Sequence, residues 1–299
     1  MDTSHETRIK RSLVALDGLS TGDAFGDRWF STPIEITPGL MEMRALPAPV
    51  WVYTDDTQMA LSIVETLRLH KQIDQDYLAM SFAKRYEPLR KYGASMRGLF
   101  LQILDGVQWR QAASGLFDGQ GSFGNGAAMR VAPVGAYFAD DLSKAAEQGR
   151  LSSEITHAHS EGIAGGVAVA VATAVAWQTK GNPLKREEFL AHILPYIPEG
   201  EVKFKTQRAQ TITNFRDAVL QLGNGMQISA QDTVPLCLWL AGEYLSNYED
   251  ALWTTARAGG DIDTNCAIVG GIVGSYVGAE NIPADWLSSR EPLPSWATG

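Results

Sequence analysis

The stretch IAGGVAVAVATAVAW, from Ile163 to Trp177, is the most apolar run in the chain and carries no charge. A helix that is apolar on every side has no face to give to water, so other helices or lipid must wrap it. The run falls short of the roughly 20 residues that a bilayer crossing needs, so a buried core helix is expected. A chain of 299 residues is long enough to supply the wrapping. With 45% hydrophobic and 20% charged residues it has the balance of a soluble globular protein. No run of alternating β-branched residues signals a strand. Apolar positions recur instead at helical spacing over about 7–19, 57–71, 76–85, 95–106, 126–137, 159–179, 186–193, 206–221, 233–246, 248–258 and 265–277. Thr57 is an expected cap of the second of these, and Thr233 of another, with Pro235 in its first turn. The Pro-rich stretch 31–52 reads as irregular. With no shift in composition, residues 1–299 read as one all-α domain.

The formal net charge of −9 argues against a general nucleic-acid surface, which needs an excess of Lys and Arg. The opening MDTSHETRIKRSLVALDG has acids early and no long apolar core, so no signal peptide is expected. Cys237 and Cys266 lie in apolar or Gly-rich surroundings and read as reduced core thiols, which fits a cytoplasmic protein without a membrane partner.

Five segments do not read as scaffold alone. Gly22-Asp23-Ala24-Phe25-Gly26 closes the first expected helix and by itself fits a C-cap and turn. Thr54-Asp55-Asp56-Thr57 sets two carboxylates side by side, either as a helix cap with a solvated neighbour or as oxygen ligands for a hard divalent cation. Gly121-Ser122-Phe123-Gly124-Asn125-Gly126 precedes a helix of small residues. Free amides there suit a phosphate, and a tight turn feeding a close-packed helix is the alternative. Thr156-His157-Ala158-His159 is a poor two-His metal site, because residues i and i+2 of a helix point apart; His157 is kept as a ligand contact. Gly259-Gly260-Asp261-Ile262-Asp263-Thr264-Asn265 offers two more carboxylates and a hydroxyl. It is no EF-hand loop, since Ile272 stands where the closing Glu belongs.

The second and fifth segments together offer Asp55, Asp56, Asp261 and Asp263 with Thr54 and Thr264. No Cys or multi-His cluster accompanies them, which disfavours zinc. An all-oxygen set suits magnesium or manganese, and this much negative charge matches a pair of divalent ions better than one.

The motifs GDAFG, TDDTQMAL, GSFGNGAAMRVAPVG, THAHSEG and GGDIDTNCAIVGG, in this order from about Leu13 to Trp286, resemble the ADP-ribosylglycohydrolase family, which includes the dinitrogenase reductase-activating glycohydrolase. The resemblance implies a single compact orthogonal helical domain with a binuclear Mg2+ or Mn2+ cleft. It implies Thr54, Asp55 and Asp56 on one ion, Asp263 bridging, and Asp261 with Thr264 completing the second. The Tyr92-Gly93 turn and Ser122, Phe123, Gly124, Asn125 and Gly126 would hold the diphosphate of ADP-ribose, with His157 close by. Asp55, Asp56 and Asp263 would be the catalytic carboxylates in hydrolysis at the anomeric carbon, with an ADP-ribosylated protein or an ADP-ribosyl small molecule as partner. Many members carry a Glu where this chain has Phe30, and Glu35 or Glu42 are the nearby carboxylates that could replace it. That departure keeps two alternatives open: hydrolysis of another ADP-ribosyl conjugate, on nucleic acid or a small molecule, and ADP-ribose binding without catalysis.

Overall fold

The computed structural model describes residues 3–33 and 35–298. Among them there is no strand; extended pairing is confined to isolated bridges joining Trp51 to Arg290 and Gly124 to Ser229. The frame of the functional region consists of α1 (His5–Asp27), α2 (Asp55–His70), α3 (Leu142–Glu154), α4 (Ser160–Gln178), α5 (Ala230–Glu243), α6 (Tyr248–Arg257) and α7 (Ile262–Val277). Helix α4 holds the apolar run and packs against α3, α5 and α7. At 19 residues it is long and apolar enough to cross a bilayer, yet 78% of its apolar window is buried by neighbouring helices. Cys237 and Cys266 are both buried and free.

Several expected boundaries move for identifiable reasons. Helix α2 starts two residues early because Thr54, not Thr57, is its N-cap. Helix α5 starts after Ser229, so Thr233 and Pro235 lie inside it. The expected helix 126–137 is two pieces, Gly126–Met129 and Ala132–Tyr137, with Pro133 in the first turn of the second. The expected helix 206–221 also divides, into Glu201–Ala209 and Phe215–Leu222; Asn214 caps the second by accepting the Asp217 amide at 2.9 Å. Helix α3 has no counterpart in the sequence reading. Its buried face is made of Ala145, Gln148, Gly149, Ser152 and Ser153, which carry little apolar signal. The stretch 31–52 contains the short helix Thr37–Glu42.

The largest correction concerns GDAFG. It does not end a helix; α1 runs through it to Asp27. Gly18, Gly22 and Gly26 recur every four residues and so share one face. A methyl group on Gly18 would lie 2.3 Å from the Gly270 carbonyl oxygen, and one on Gly22 would lie 2.1 Å from that of Cys266. On Gly26 it would meet the Asp263 Cα at 2.7 Å. The glycines let α1 and α7 touch backbone to backbone, and Gly270 and Gly274 of α7 answer Gly18 in the same way. The Tyr248 hydroxyl of α6 fastens the crossing by donating to the Gly18 carbonyl at 2.6 Å. A glycine costs a helix interior about 1 kcal/mol relative to alanine, so the stripe must be offset by this contact.

Gly22→Ala should therefore destabilise the protein by about 1–3 kcal/mol despite the better helix propensity of alanine, as overpacking does. Gly39→Ala, with nothing within 4 Å of the added methyl, is the control and should be neutral or slightly stabilising. Urea unfolding measures both. Equal stability of Gly22→Ala and the native chain would show that the helices do not depend on this approach.

Candidate metal centre

Each carboxylate arrives at the site for a local reason. Asp23 projects from α1 between two glycines of the contact stripe. Thr54, Asp55, Asp56 and Thr57 form the first turn of α2, and Asp261, Asp263 and Thr264 the first turn of α7. Helix N-termini carry free amides and partial positive charge, which favours acidic residues there. Because α1 lies directly on α7, the two helix starts converge over Asp23.

Asp23 is fully buried and accepts four donors from α2's start. These are the Thr54 amide (3.0 Å), Thr54 Oγ1 (2.9 Å), the Thr57 amide (3.1 Å) and Thr57 Oγ1 (2.5 Å). It thus caps a helix from another part of the chain. Carboxylate oxygens of Asp23, Asp56 and Asp263 lie within 4.8 Å of one another, all buried. Asp56 Oδ2 lies 2.9 Å from Thr54 Oγ1, the same hydroxyl that faces Asp23, so one proton serves two carboxylates. Asp56 Oδ1 is buried with no hydrogen-bond partner. Asp263 Oδ1 accepts the Thr264 amide at 2.9 Å.

The electrostatics follow from burial and like charge. Burial raises the Asp23 carboxyl to about 6 against the bonds from Thr57 and Thr54. It raises Asp55 to about 8, with Asp23 and Asp261 adding repulsion and Arg130 opposing. Asp56 and Asp263 are pushed well above the carboxylate range by burial and by neighbouring aspartates. A cluster of this kind relaxes by binding protons or by binding a cation. The donor set is hard oxygen with an orphaned Asp56 Oδ1, so the residues fit a divalent ion of the magnesium class.

Asp56 and Asp263, both expected at the site, lie together in the structure, and Asp23, which is not expected there, lies with them. The signal for it was present, because GDAFG contains a carboxylate flanked by the two glycines of a close contact. Asp55 and Asp261 flank the tight cluster and act on it electrostatically. Asn125 joins this centre to the glycine loop, since its Nδ2 donates to Asp261 Oδ2 at 2.6 Å and to Thr233 Oγ1 at 3.0 Å. Within the loop, Gly121 has φ 74°, where a side chain would be strained, and Ser122 Oγ accepts the Gly124 amide at 3.2 Å. Phe123 holds α5's start through its carbonyl, which accepts the Ala230 amide at 2.9 Å. A methyl group on Gly124 or Gly126 would press on the His157 ring. His159 has a different task, capping α4 by accepting the Glu161 amide at 3.1 Å.

A sixth segment, Gly223 to Ser229, also escaped the sequence reading. The Asn224 carbonyl accepts the Asp261 amide (3.2 Å) and Asn265 Nδ2 (2.7 Å), and the Ile228 carbonyl accepts the Asn125 amide (3.3 Å). Ile228 has φ 53°, a rare conformation for a β-branched residue, and such outliers gather at functional sites. Gly-Asn-Gly at 223–225 was its visible mark. Gly93 sits on a separate exposed turn; its neighbour Tyr92 reaches α2 by donating to Gln58 Oε1 at 2.8 Å. Phe30 is exposed, and so are Glu35 and Glu42. The buried carboxylate nearest in sequence is Asp27, one turn beyond Asp23 and paired with Lys91.

The ADP-ribosylglycohydrolase family model matches residues 4–297. The chain belongs to the ADP-ribosylglycohydrolase family. Within the family it is 30% identical to human ADP-ribosylhydrolase ARH3 over 295 residues, covering 85% of this chain and 77% of the relative. An uncharacterized protein of Archaeoglobus fulgidus is 33% identical, with 94% and 92% covered. The ADP-ribosylarginine hydrolase Tri1 of Pseudomonas putida is 27% identical, with 94% and 74% covered. A solved structure titled ADP-ribosylglycohydrolase-related protein complex superposes with a TM-score of 0.66 at 23% identity, covering 96% of this chain and 94% of that one, and shows the same fold. The family is one of glycohydrolase enzymes, and the aspartate cluster lies in its shared all-α fold.

The raised carboxyls give a signed pH expectation for protein stripped of metal. The unfolded chain releases these protons near pH 4, whereas the folded chain keeps them to about 6 at Asp23 and about 8 at Asp55. Their stabilising contribution is therefore complete below pH 4 and is lost as pH rises through 6 to 8. In chelator, Tm should fall by several degrees between pH 5 and 8, at roughly 2–4 °C per kcal/mol. Manganese should abolish the fall. A chelated protein whose Tm is flat or rises over that range would contradict the electrostatic account.

Proposed function

We propose that this protein is a hydrolase dependent on divalent metal that removes ADP-ribose from a modified acceptor, a protein side chain, by cleaving the glycosidic bond at the anomeric carbon. The observation that carries this reading is the placement of the Asp23–Asp56–Asp263 cluster, with its orphaned Asp56 oxygen, beside Asp261, whose Oδ2 accepts from Asn125 of the glycine loop. A cation centre and an anion cradle held side by side fit a ligand with a diphosphate at one end and a ribose at the other.

Thr54, Asp55, Asp56, Asp261, Asp263 and Thr264 are the residues that would hold a pair of Mg2+ or Mn2+ ions. Asp23 already receives four donors, which supports an orienting role behind them. Bound ions of this class would fix ribose hydroxyls and make a water more acidic. The chain's own residues do the rest. The glycines of Gly121–Gly126 leave room for a phosphate at the loop, where the Gly121, Gly124 and Asn125 amides are already bonded within the protein and the remaining amides would meet its oxygens. Asn125 fixes the distance between that loop and Asp261. With divalent charge beside it to keep the carboxyl ionised, Asp56 Oδ1, having no protein partner, would be free to accept the proton of the attacking water. The anomeric carbon gains positive charge as the bond breaks, and the surrounding carboxylates favour that charge.

The name of Tri1 states an arginine acceptor and that of ARH3 states none, and Phe30 stands where many members carry a Glu, so the acceptor is the part to test. A panel of ADP-ribosylated arginine, serine and nucleic-acid substrates with manganese should show release of ADP-ribose from a protein-type linkage. Asp56→Asn should lose roughly 100- to 10,000-fold in kcat, the range for a removed general base. Gly124→Val should weaken ADP-ribose binding in calorimetry without unfolding the chain. Tight ADP-ribose binding with no release from any substrate would instead identify a binding protein.

A further inference from the structure

Beside the glycine loop runs a chain of three buried polar side chains, Arg130, Thr156 and His157. Arg130 has no exposed surface, and among the described residues no carboxylate pairs with it. Its Nη2 donates to the Ser152 carbonyl at 3.0 Å and to Thr156 Oγ1 at 2.8 Å, which uses both protons on that nitrogen. Nη1 points to Met59 Sδ at 3.5 Å, and the guanidinium lies 4.6 Å from the centre of the Phe82 ring. Thr156 Oγ1 is then 2.7 Å from His157 Nδ1.

The protons in this chain can be counted. Thr156 is fully buried, and among the described residues its hydroxyl has no partner besides Arg130 and His157. The oxygen accepts from Arg130, so the single hydroxyl proton has one acceptor, His157 Nδ1. That nitrogen must be bare, and a neutral imidazole then carries its proton on Nε2. Burial and the Arg130 guanidinium push His157 down to about 3, so the ring is neutral near pH 7. The opposite edge of the ring faces the loop. A methyl group built on Gly124 would lie 3.3 Å from Nε2, and one on Gly126 would lie 2.9 Å from Cε1 and 3.1 Å from Nε2. Nε2 itself has no hydrogen bond among the described residues, although His157 is only 4% exposed.

We propose that Arg130 and Thr156 are positioning residues that lock His157 as its Nε2–H tautomer, so that the glycine cradle presents a fixed side-chain donor to an acceptor oxygen of a bound diphosphate. Taking that diphosphate to be the one in ADP-ribose rests on the proposed function; the tautomer does not. The lock also sets specificity, because a ligand offering a donor at this point meets N–H against N–H.

Long-range nitrogen–proton correlation spectra of the ligand-free, 15N-labelled protein at pH 7 read the tautomer directly. The chain has five histidines, and His157→Gln assigns the signal. The expected spectrum has Nδ1 unprotonated and Nε2 protonated. An Nδ1–H form or an imidazolium would overturn the proposal. Thr156→Val should abolish the fixed tautomer and weaken ADP-ribose binding roughly tenfold by calorimetry, as for one lost hydrogen bond. Thr156→Ser, which keeps the hydroxyl, should restore both. A folded Thr156→Val protein with native tautomer and native affinity would refute the lock. Should that variant not fold, the native spectrum and the Ser variant still decide. The expected tautomer in a native protein that does not bind ADP-ribose would support the lock and contradict the ligand reading.

Discussion

The carboxylate of Asp23 is the point on which the site depends. It sits near the C-terminal end of α1, fully buried, and receives two amides and two hydroxyls from the first turn of α2. An unpaired buried carboxylate would cost several kcal/mol; here it is offset by satisfying free amides that α2 would otherwise leave unbonded. The same contact fixes where Asp55 and Asp56 stand. The glycines at 22 and 26 fix where Asp263 stands, because they allow α7 to lie against the backbone on either side of Asp23. One side chain and its flanking glycines therefore align the starts of two helices that are about 200 residues apart in the chain.

That arrangement works against stability. The Asp56 and Asp263 carboxyls are held far above their usual range, and Asp56 Oδ1 is buried with nothing to bind. Natural proteins keep such groups where function requires them. Compensation lies nearby in the aromatic packing beneath the site. Phe25, on α1 between Asp23 and Gly26, stacks on Trp286 at 4.5 Å and meets Trp253 edge-on at 5.0 Å. The face of α1 that carries charge is thus backed by one that carries large apolar contacts, each aromatic pair adding about 0.5–1.5 kcal/mol beyond its burial.

Much of this was legible in the sequence, for reasons that can be stated residue by residue. The α4 run could only be a wrapped helix. Thr54–Thr57 reads as a helix cap or as cation ligands, and 259–265 as an extended or turn stretch ahead of a helix; in the structure both segments are helix starts, and they meet. Asp23 was hidden because GDAFG looks like a helix end. Gly22 and Gly26 have helical backbones, and their use is proximity to α7, which no local pattern reveals. The loop 223–229 was hidden for a similar reason, since its carbonyls do the work and carbonyls have no residue type. Helix α3 was missed because its packed face is small and polar. The departure at Phe30 was legible, but its consequence was not. Glu35 and Glu42 proved exposed, whereas Asp27, buried and paired with Lys91, drew no notice.

The central claim is that the aspartates gathered around Asp23 are assembled to hold divalent cations. Elemental analysis of the native protein, stripped and refilled with manganese, tests it most directly beside Asp263→Asn and Thr264→Ala. The account predicts about two ions per chain in the native protein, a marked loss in Asp263→Asn, and a smaller one in Thr264→Ala, because the first removes charge and the second a neutral oxygen. Full metal content in Asp263→Asn, or no manganese uptake by the native chain, would contradict it.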